Sequence, residues 1–334
     1  MVEIRSVEAG TKILVTGAAG FIGSHLVEAL VRLGCNVTAM VRYDSHSSIG
    51  NLRFLEESVR NKIEITAGNI EDGDYVSRAV EGKDVVLHLA ALIAIPYSYQ
   101  APRSYLRTNI EGTMNVLEAA RRFGTKRIVH TSTSEVYGTA LRTPIDEEHP
   151  LQGQSPYSAS KIGADKIAES YFRSFDTPVV TLRPFNTYGP RQSARAFMPT
   201  IVSQALANEA IHLGSLTPQR DMTFVADTVD GFIRAAGTPG IEGETINLGV
   251  GETFSIGQFA ERILSIMNVD KPIVHDARRD RPEKSEVMKL VSDNRKAARL
   301  LDWYPRTSLD DGIRQMIDFV AKNLAQYDPG RFRV

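Results

Sequence analysis

Apolar residues in the first half of the chain follow two alternating rhythms. Short runs, apolar at nearly every position and rich in Val and Ile, occur at 12–17 (KILVTG), 35–41 (CNVTAMV), 63–69 (IEITAGN), 84–90 (DVVLHLA), 127–133 (RIVHTST) and 177–184 (TPVVTLRP). Runs of this length and character predict strands covered on both faces. Between them, 21–34 (FIGSHLVEALVRLG), 74–82 (DYVSRAVEG), 109–124 (NIEGTMNVLEAARRFG) and 158–175 (SASKIGADKIAESYFRSF) carry apolar residues at helical spacing. Alternation of the two predicts βαβ units, and with them an α/β fold with a Rossmann-type doubly wound parallel sheet. Ligands of such sheets meet the carboxyl ends of the strands, so residues just past each run are the candidates for chemistry.

After about residue 185 the rhythm breaks into turns, short helices and short strands, with Pro at 190, 199, 218, 272, 282 and 305. The chain is therefore expected to divide into a Rossmann-type domain over 1–185 and a smaller, irregular part over 186–334 that covers the sheet's ligand edge. Segments within 221–250, near TFVADTVDGFIRAA and ETINLGVG, are expected to return to the main sheet.

The first strand–helix junction reads TGAAGFIG, with Gly17, Gly20 and Gly23 at three-residue spacing and Phe21 and Ile22 opening the helix. Glycines there let the backbone approach a pyrophosphate, and the helix N-terminus favours its charge. A dinucleotide site is expected. An NAD site commonly has an acid at the end of the second strand to hold the ribose hydroxyls. Here that zone holds Val41 and Arg42, and Asp44 comes late. Arg42 can pair with a 2′-phosphate, so NADP is favoured, with NAD the alternative. Asn69 and Ile70, past the third strand, are expected to flank the adenine. Tyr157 and Lys161 in PYSASK lie four apart, on one helix face. An ammonium beside a phenol favours the phenolate, a general base for an alcohol proton. Thr133 offers a hydroxyl to the same oxygen.

Together TGAAGFIGSH, HLAA (88–91), Asn109–Gly112, STSEVYG, PYSASK and RPFNTYGPR resemble the extended short-chain dehydrogenase/reductase superfamily, in its nucleotide-sugar epimerase and dehydratase branch. The resemblance implies that Leu89, Ala90, Ala91 and Asn109 join the cofactor site. ALIAIPYSY, TSTSEVYGTA, QSPYSASKIGADK and RPFNTYGPRQSAR are similar to the 4,6-dehydratases of legionaminic acid synthesis, which implies a UDP- or GDP-activated N-acetylglucosamine and a 4-keto-6-deoxy product. In such enzymes C4 is oxidised, C5 loses a proton, water leaves C6 and hydride returns there. Glu135 matches the base that takes the C5 proton. A carboxylate buried among neutral hydroxyls is expected to hold a proton more tightly. Many of these dehydratases have Asp where this chain has Ser134, and that Asp protonates the leaving hydroxyl. UDP-glucuronic acid decarboxylases share Thr-Ser-Glu, so decarboxylation stays open, as does 4-epimerisation. A non-catalytic dinucleotide-binding protein is disfavoured by the joint presence of Thr133, Tyr157 and Lys161. Asn186, Arg191, Arg220 and Arg281 match positions that meet the sugar diphosphate, which suits the arginine fork.

Bulk composition narrows the picture. The chain has 334 residues, 39 basic and 40 acidic, with a net charge of -1. This lacks the basic excess of a nucleic-acid binder. No run is apolar for long enough to span a bilayer, and the N-terminal stretch MVEIRSVEAGTK lacks a signal-peptide core, so a cytoplasmic protein without membrane partners is expected. The single cysteine, Cys35, is expected to pack as a small hydrophobe. His88 and His130 fall inside strands and read as core histidines. No metal-ligand spacing is present, so no metal is expected. The helices within 107–124 and 157–175 form the dimer interface in the family, which implies a homodimer.

Overall fold

The computed structural model describes residues 7–329; the first six residues of the N-terminal stretch read above lie outside it. Six strands come from the first 185 residues: β1 (Lys12–Thr16), β2 (Asn36–Arg42), β3 (Glu64–Gly68), β4 (Val85–His88), β5 (Arg127–Thr131) and β6 (Val179–Pro184). A seventh, Thr245–Leu248, pairs with β6. The sheet order is Thr245–Leu248, β6, β5, β4, β1, β2, β3, and each pairing is parallel. The order reverses between β1 and β4. Their carboxyl ends therefore splay into the crevice where such sheets take ligands.

Alternate residues of each strand face opposite layers. Ile13 and Val15 pack in one cluster with Leu26 and Leu30 of helix α1 (Phe21–Arg32) and with Phe232 of helix Val225–Gly237. Leu14 points the other way, into a cluster with Val76, Val116, Ile128 and Ala168. Both faces of the central strands are thus dry, which is why they read as apolar runs; β3, at the sheet edge, is mostly exposed.

Of the segments expected to return to the sheet, one does. Thr245–Leu248 joins it as a strand. Met222–Phe224 pairs instead with Asn186–Tyr188, in a separate small sheet. The residues after it form helix Val225–Gly237, which lies against α1. Residues 303–307 are tied back through Asp227: its carboxylate accepts from the Arg306 and Thr307 amides, and its carbonyl from the indole of buried Trp303.

Over the crevice runs a strap, residues 276–292, with short helical turns at Ala277–Arg279 and Glu283–Ser285. The Ser285 hydroxyl donates to the Gln154 carbonyl at 2.7 Å and shares a 2.6 Å hydrogen bond with Tyr99. Val287 and Leu290 pack under it against Val136, Tyr137 and Phe185. The strap is thereby docked on the segments that flank Glu135 and Tyr157.

Candidate active site

The glycine turn follows β1. Gly17 has φ +69, and a Cβ there would lie 2.8 Å from the Ala90 nitrogen. The Thr16 hydroxyl accepts from the Leu89 and Ala90 amides at 3.1 Å each, and so draws the end of β4 against the turn. A Cβ on Gly23 would strike the Gly17 carbonyl. Gly20 caps α1 with no side chain over the helix end, and no acid stands in the first turn. Phe21 and Ile22 open the helix half-buried. Bare amides, a positive helix end and backbone that only glycine allows fit a pyrophosphate.

Farther along the crevice, Arg42 and Gly68 are register partners at the ends of β2 and β3, and Asn69 and Ile70 follow. Asn69 is exposed, whereas Ile70 is buried against Gly112. Asp44 does not face a ribose: its carboxylate accepts from the amides of His46 and Ser48 and closes its own loop. Asn109, expected at the cofactor, is saturated by protein. Its oxygen accepts from Leu92 N at 2.8 Å, and its nitrogen donates to Leu92 O and Ser160 Oγ. It positions the loop containing Leu89–Ala91 against helix Pro156–Phe175, from within a π turn, Leu106–Glu111.

Helix Pro156–Phe175 starts at a capping box, Ser155 with Ser158, and carries Tyr157 and Lys161 on one face. Both are buried. Burial lowers Lys161 to about 8, with Asp165 pulling the other way. Its ammonium donates to the Thr131 carbonyl at 2.5 Å. Burial likewise pushes the Tyr157 phenol well above its usual range. A hydrogen bond with Thr133 opposes this, while Glu135, Tyr105 and Asp165 add to it. Lys161 stands one helical turn from Tyr157, with its ammonium anchored on that carbonyl.

Beneath these residues, Asp165 binds His130 Nε2 at 3.0 Å, Ser132 Oγ at 2.7 Å and Arg183 at 3.1 Å, all buried. Burial raises its pKa, but the His130 hydrogen bond and the Arg183 charge outweigh that and bring it down to about 2. His88 bonds Thr16 and Thr113, and burial holds both His88 and His130 below their usual range. Both are core histidines, as read. Sequence reading missed the Asp165–Arg183 pair, because nothing local joins residues on a helix and a distant strand.

Past β5 the chain makes one short turn, Ser134–Tyr137, capped by the Thr133 hydroxyl, which accepts from the Glu135 amide. Ser134 and Glu135 are both buried there. The neutral surroundings expected for Glu135 are not found. Arg281 Nη1 lies 4.0 Å from its Oε1, and 3.5 Å from Glu286 Oε1. The same Glu286 oxygen accepts from Arg220 Nη2 at 2.8 Å. Arg220, almost wholly buried, also donates to the Val287 carbonyl at 2.7 Å. The residues expected at the base and at the diphosphate thus form one charge cluster, with the unforeseen Glu286 at its centre.

Asn186, register partner of Met222, lies half-buried, and its buried Oδ1 has no protein partner. An orphaned acceptor in a cleft is what a ligand contact leaves behind. Arg191 is placed elsewhere. Its guanidinium donates to Glu28 of α1 at 2.6 Å, and its carbonyl accepts from Asn51. It pins the 186–192 segment to the Rossmann part and does not face the other arginines, a correction of its expected role.

The model of the GDP-mannose 4,6 dehydratase family matches residues 14–316. The chain belongs to this family of nucleotide-sugar dehydratases and epimerases. It is 35% identical over 313 residues to a UDP-glucose 4-epimerase of Mycolicibacterium smegmatis, covering 92% of this chain and 97% of that protein. It is 30% identical to a dTDP-D-glucose 4,6-dehydratase of Mus musculus, over 93% of this chain and 89% of that one. A double mutant of DesIV, the dTDP-glucose 4,6-dehydratase of Streptomyces venezuelae solved with NAD bound, superposes with a TM-score of 0.86 at 27% identity, covering 96% of this chain and all of that one. Family members of both reaction types are therefore similar to this chain. Among the described residues, no cluster of His, Cys, Asp or Glu could hold a metal ion, and no helix is long and apolar enough to cross a membrane.

Proposed function

We propose that this chain is a nucleotide-sugar 4,6-dehydratase acting on a UDP- or GDP-activated N-acetylglucosamine. The observation that carries this is the buried carboxylate of Glu135, two residues beyond Thr133 and electrostatically coupled to Tyr157. A 4-epimerase needs a base at the C4 hydroxyl but none at C5. A buried carboxylate whose charge is felt at Tyr157 supplies the second base that proton removal from C5 requires.

The Gly17–Gly23 turn with Phe21 and Ile22, the Leu89–Ala91 loop, Arg42, Asn69, Ile70, Tyr157 and Lys161 would hold a nicotinamide dinucleotide, which accepts hydride from C4 and gives it back at C6. Tyr157 takes the C4 hydroxyl proton as the carbonyl forms and is oriented by Thr133. Lys161 places a positive charge one helical turn away. The C4 ketone acidifies C5–H, and Glu135 removes that proton. The C6 hydroxyl leaves with a proton as water, through Glu135 itself or through a water held at Ser134; as hydride returns to C6, C5 takes a proton back from solvent and Tyr157 releases the one it took from O4. Net change is the loss of one water, with no oxidant consumed. Arg220 and Arg281 take the diphosphate and Asn186 a sugar or phosphate oxygen. Arg42, with Asp44 committed to its own loop, favours NADP; parallel titrations with NAD and NADP test this.

The direct test is mass spectrometry of the purified protein with UDP-GlcNAc and GDP-GlcNAc, alongside dTDP-glucose. Loss of one water from an N-acetylglucosamine nucleotide supports the proposal. Loss from dTDP-glucose alone moves the substrate, and an unchanged mass with inverted C4 makes the chain an epimerase. Decarboxylation of UDP-glucuronic acid is the second reading, favoured by Ser134 in place of an acid.

A further inference from the structure

Arg281 is shared between two carboxylates and bonded closely to neither. Its Nη1 stands 3.5 Å from Glu286 and 4.0 Å from Glu135, whereas a committed guanidinium–carboxylate hydrogen bond closes to about 2.8 Å. Glu286 cannot follow Arg281. It is held by buried Arg220 at 2.8 Å, and Arg220 is itself fixed by the Val287 carbonyl. The backbone beside Glu286 is fixed too, through the Ser285 contacts with Gln154 and Tyr99. Gln154 in turn accepts from the Thr139 amide, four residues beyond Glu135. One rigid framework therefore sets both the Glu286 carboxylate and the Glu135 turn, with Arg281 suspended between them.

We propose that Glu286 is a positioning residue: it holds Arg281 off Glu135, leaving the carboxylate free to take the C5 proton and the guanidinium free to meet the substrate diphosphate. This rests on the dehydratase reading for the role of Glu135. Without the Glu286 charge, the nearest anion to Arg281 is Glu135. The two close into a direct pair that withdraws the base and the phosphate-binding cation together. The diphosphate takes the place of Glu286's pull once substrate is bound, so the phosphate end of the substrate governs the chemistry at its sugar end. Binding energy from a remote group spent at the reacting centre appears in kcat as well as KM.

The test is a double-mutant cycle on the intact protein with the sugar nucleotide it turns over, read as kcat and KM separately. Glu286→Gln is expected to lower kcat roughly tenfold to a hundredfold, as small misplacements at a reacting centre do. Adding Arg281→Met is expected to raise kcat above that of Glu286→Gln alone while KM worsens, because the trapping cation is gone. Glu286→Asp is expected to restore part of the loss, and it carries the test if the Gln variant fails to fold. An unchanged kcat in Glu286→Gln, or losses that simply multiply in the double variant, would overturn the proposal. Calorimetric titration with UDP and GDP separates this failure from failure of the dehydratase reading. Weaker nucleotide binding by Glu286→Gln sustains the Glu286–Arg281 coupling even if the wild-type protein proves an epimerase. Unchanged binding together with unchanged kcat rejects it even if dehydration is observed.

Discussion

Lys161 is buried where burial lowers its ammonium from 10.5 to about 8. Its folded value lies below its unfolded one, so the unfolded chain binds more protons between those limits. Stability from this group therefore rises with pH across about 8 to 10.5, by on the order of 1 kcal/mol per pH unit. Lys161→Met removes that rise. Denaturant melts at pH 8 and pH 10 should show the wild type gaining on the variant, and turnover by the variant should fall about 10²- to 10⁴-fold. A variant that is less active and no less stable marks a charge kept for chemistry. Asp165 is the opposite case. Asp165→Asn leaves Arg183 buried without its anion, and thermal or urea unfolding should show a loss of about 3–5 kcal/mol. The sequence displayed Tyr157 and Lys161 through their four-residue spacing. It could not display Asp165–Arg183 or Glu286–Arg220, since each pair is joined only by folding. Arg191 looked like the other arginines for the same reason: a residue type carries no direction, and Glu28 supplied it.

Helix Pro156–Phe175 sets the catalytic pair by where it begins. Its start at Ser155 was legible only approximately, because apolar periodicity fixes a helix's face better than its first residue. The capping box makes that start definite, and Tyr157 stands in the first turn. Ser155→Ala should lower stability by about 1 kcal/mol. It should also lower kcat more than it raises KM, since fraying begins at the tyrosine; steady-state kinetics beside a thermal melt checks both. The strap over 276–292 is the element that sequence reading resolved least. It has neither rhythm, and its contacts with Tyr99, Gln154 and Val136 are all distant in sequence. Five of the six early strands were legible because both their faces are dry; β3, exposed at the sheet edge, showed itself by its β-branched residues instead. The pairing of Met222–Phe224 with Asn186–Tyr188 was not, because strands of three residues are too short to show a period.

Across the whole molecule one apolar cluster runs from Val7 to Tyr327 and takes in residues on both sides of position 185. Calorimetry should accordingly give a single cooperative transition; two separated transitions would contradict that continuity. We also expect a homodimer through the helices that expose Leu106, Met114 and Phe175, checked by sedimentation velocity. The central claim is that Glu135 moves a proton at C5 of a nucleotide sugar. Turnover of UDP-GlcNAc and GDP-GlcNAc in deuterium oxide, followed by mass spectrometry and NMR, tests it most directly. The account predicts a product lighter by one water and carrying one solvent deuteron at C5, with the reaction lost in Glu135→Gln. A product of unchanged mass, inverted at C4 and free of deuterium at C5, would contradict it.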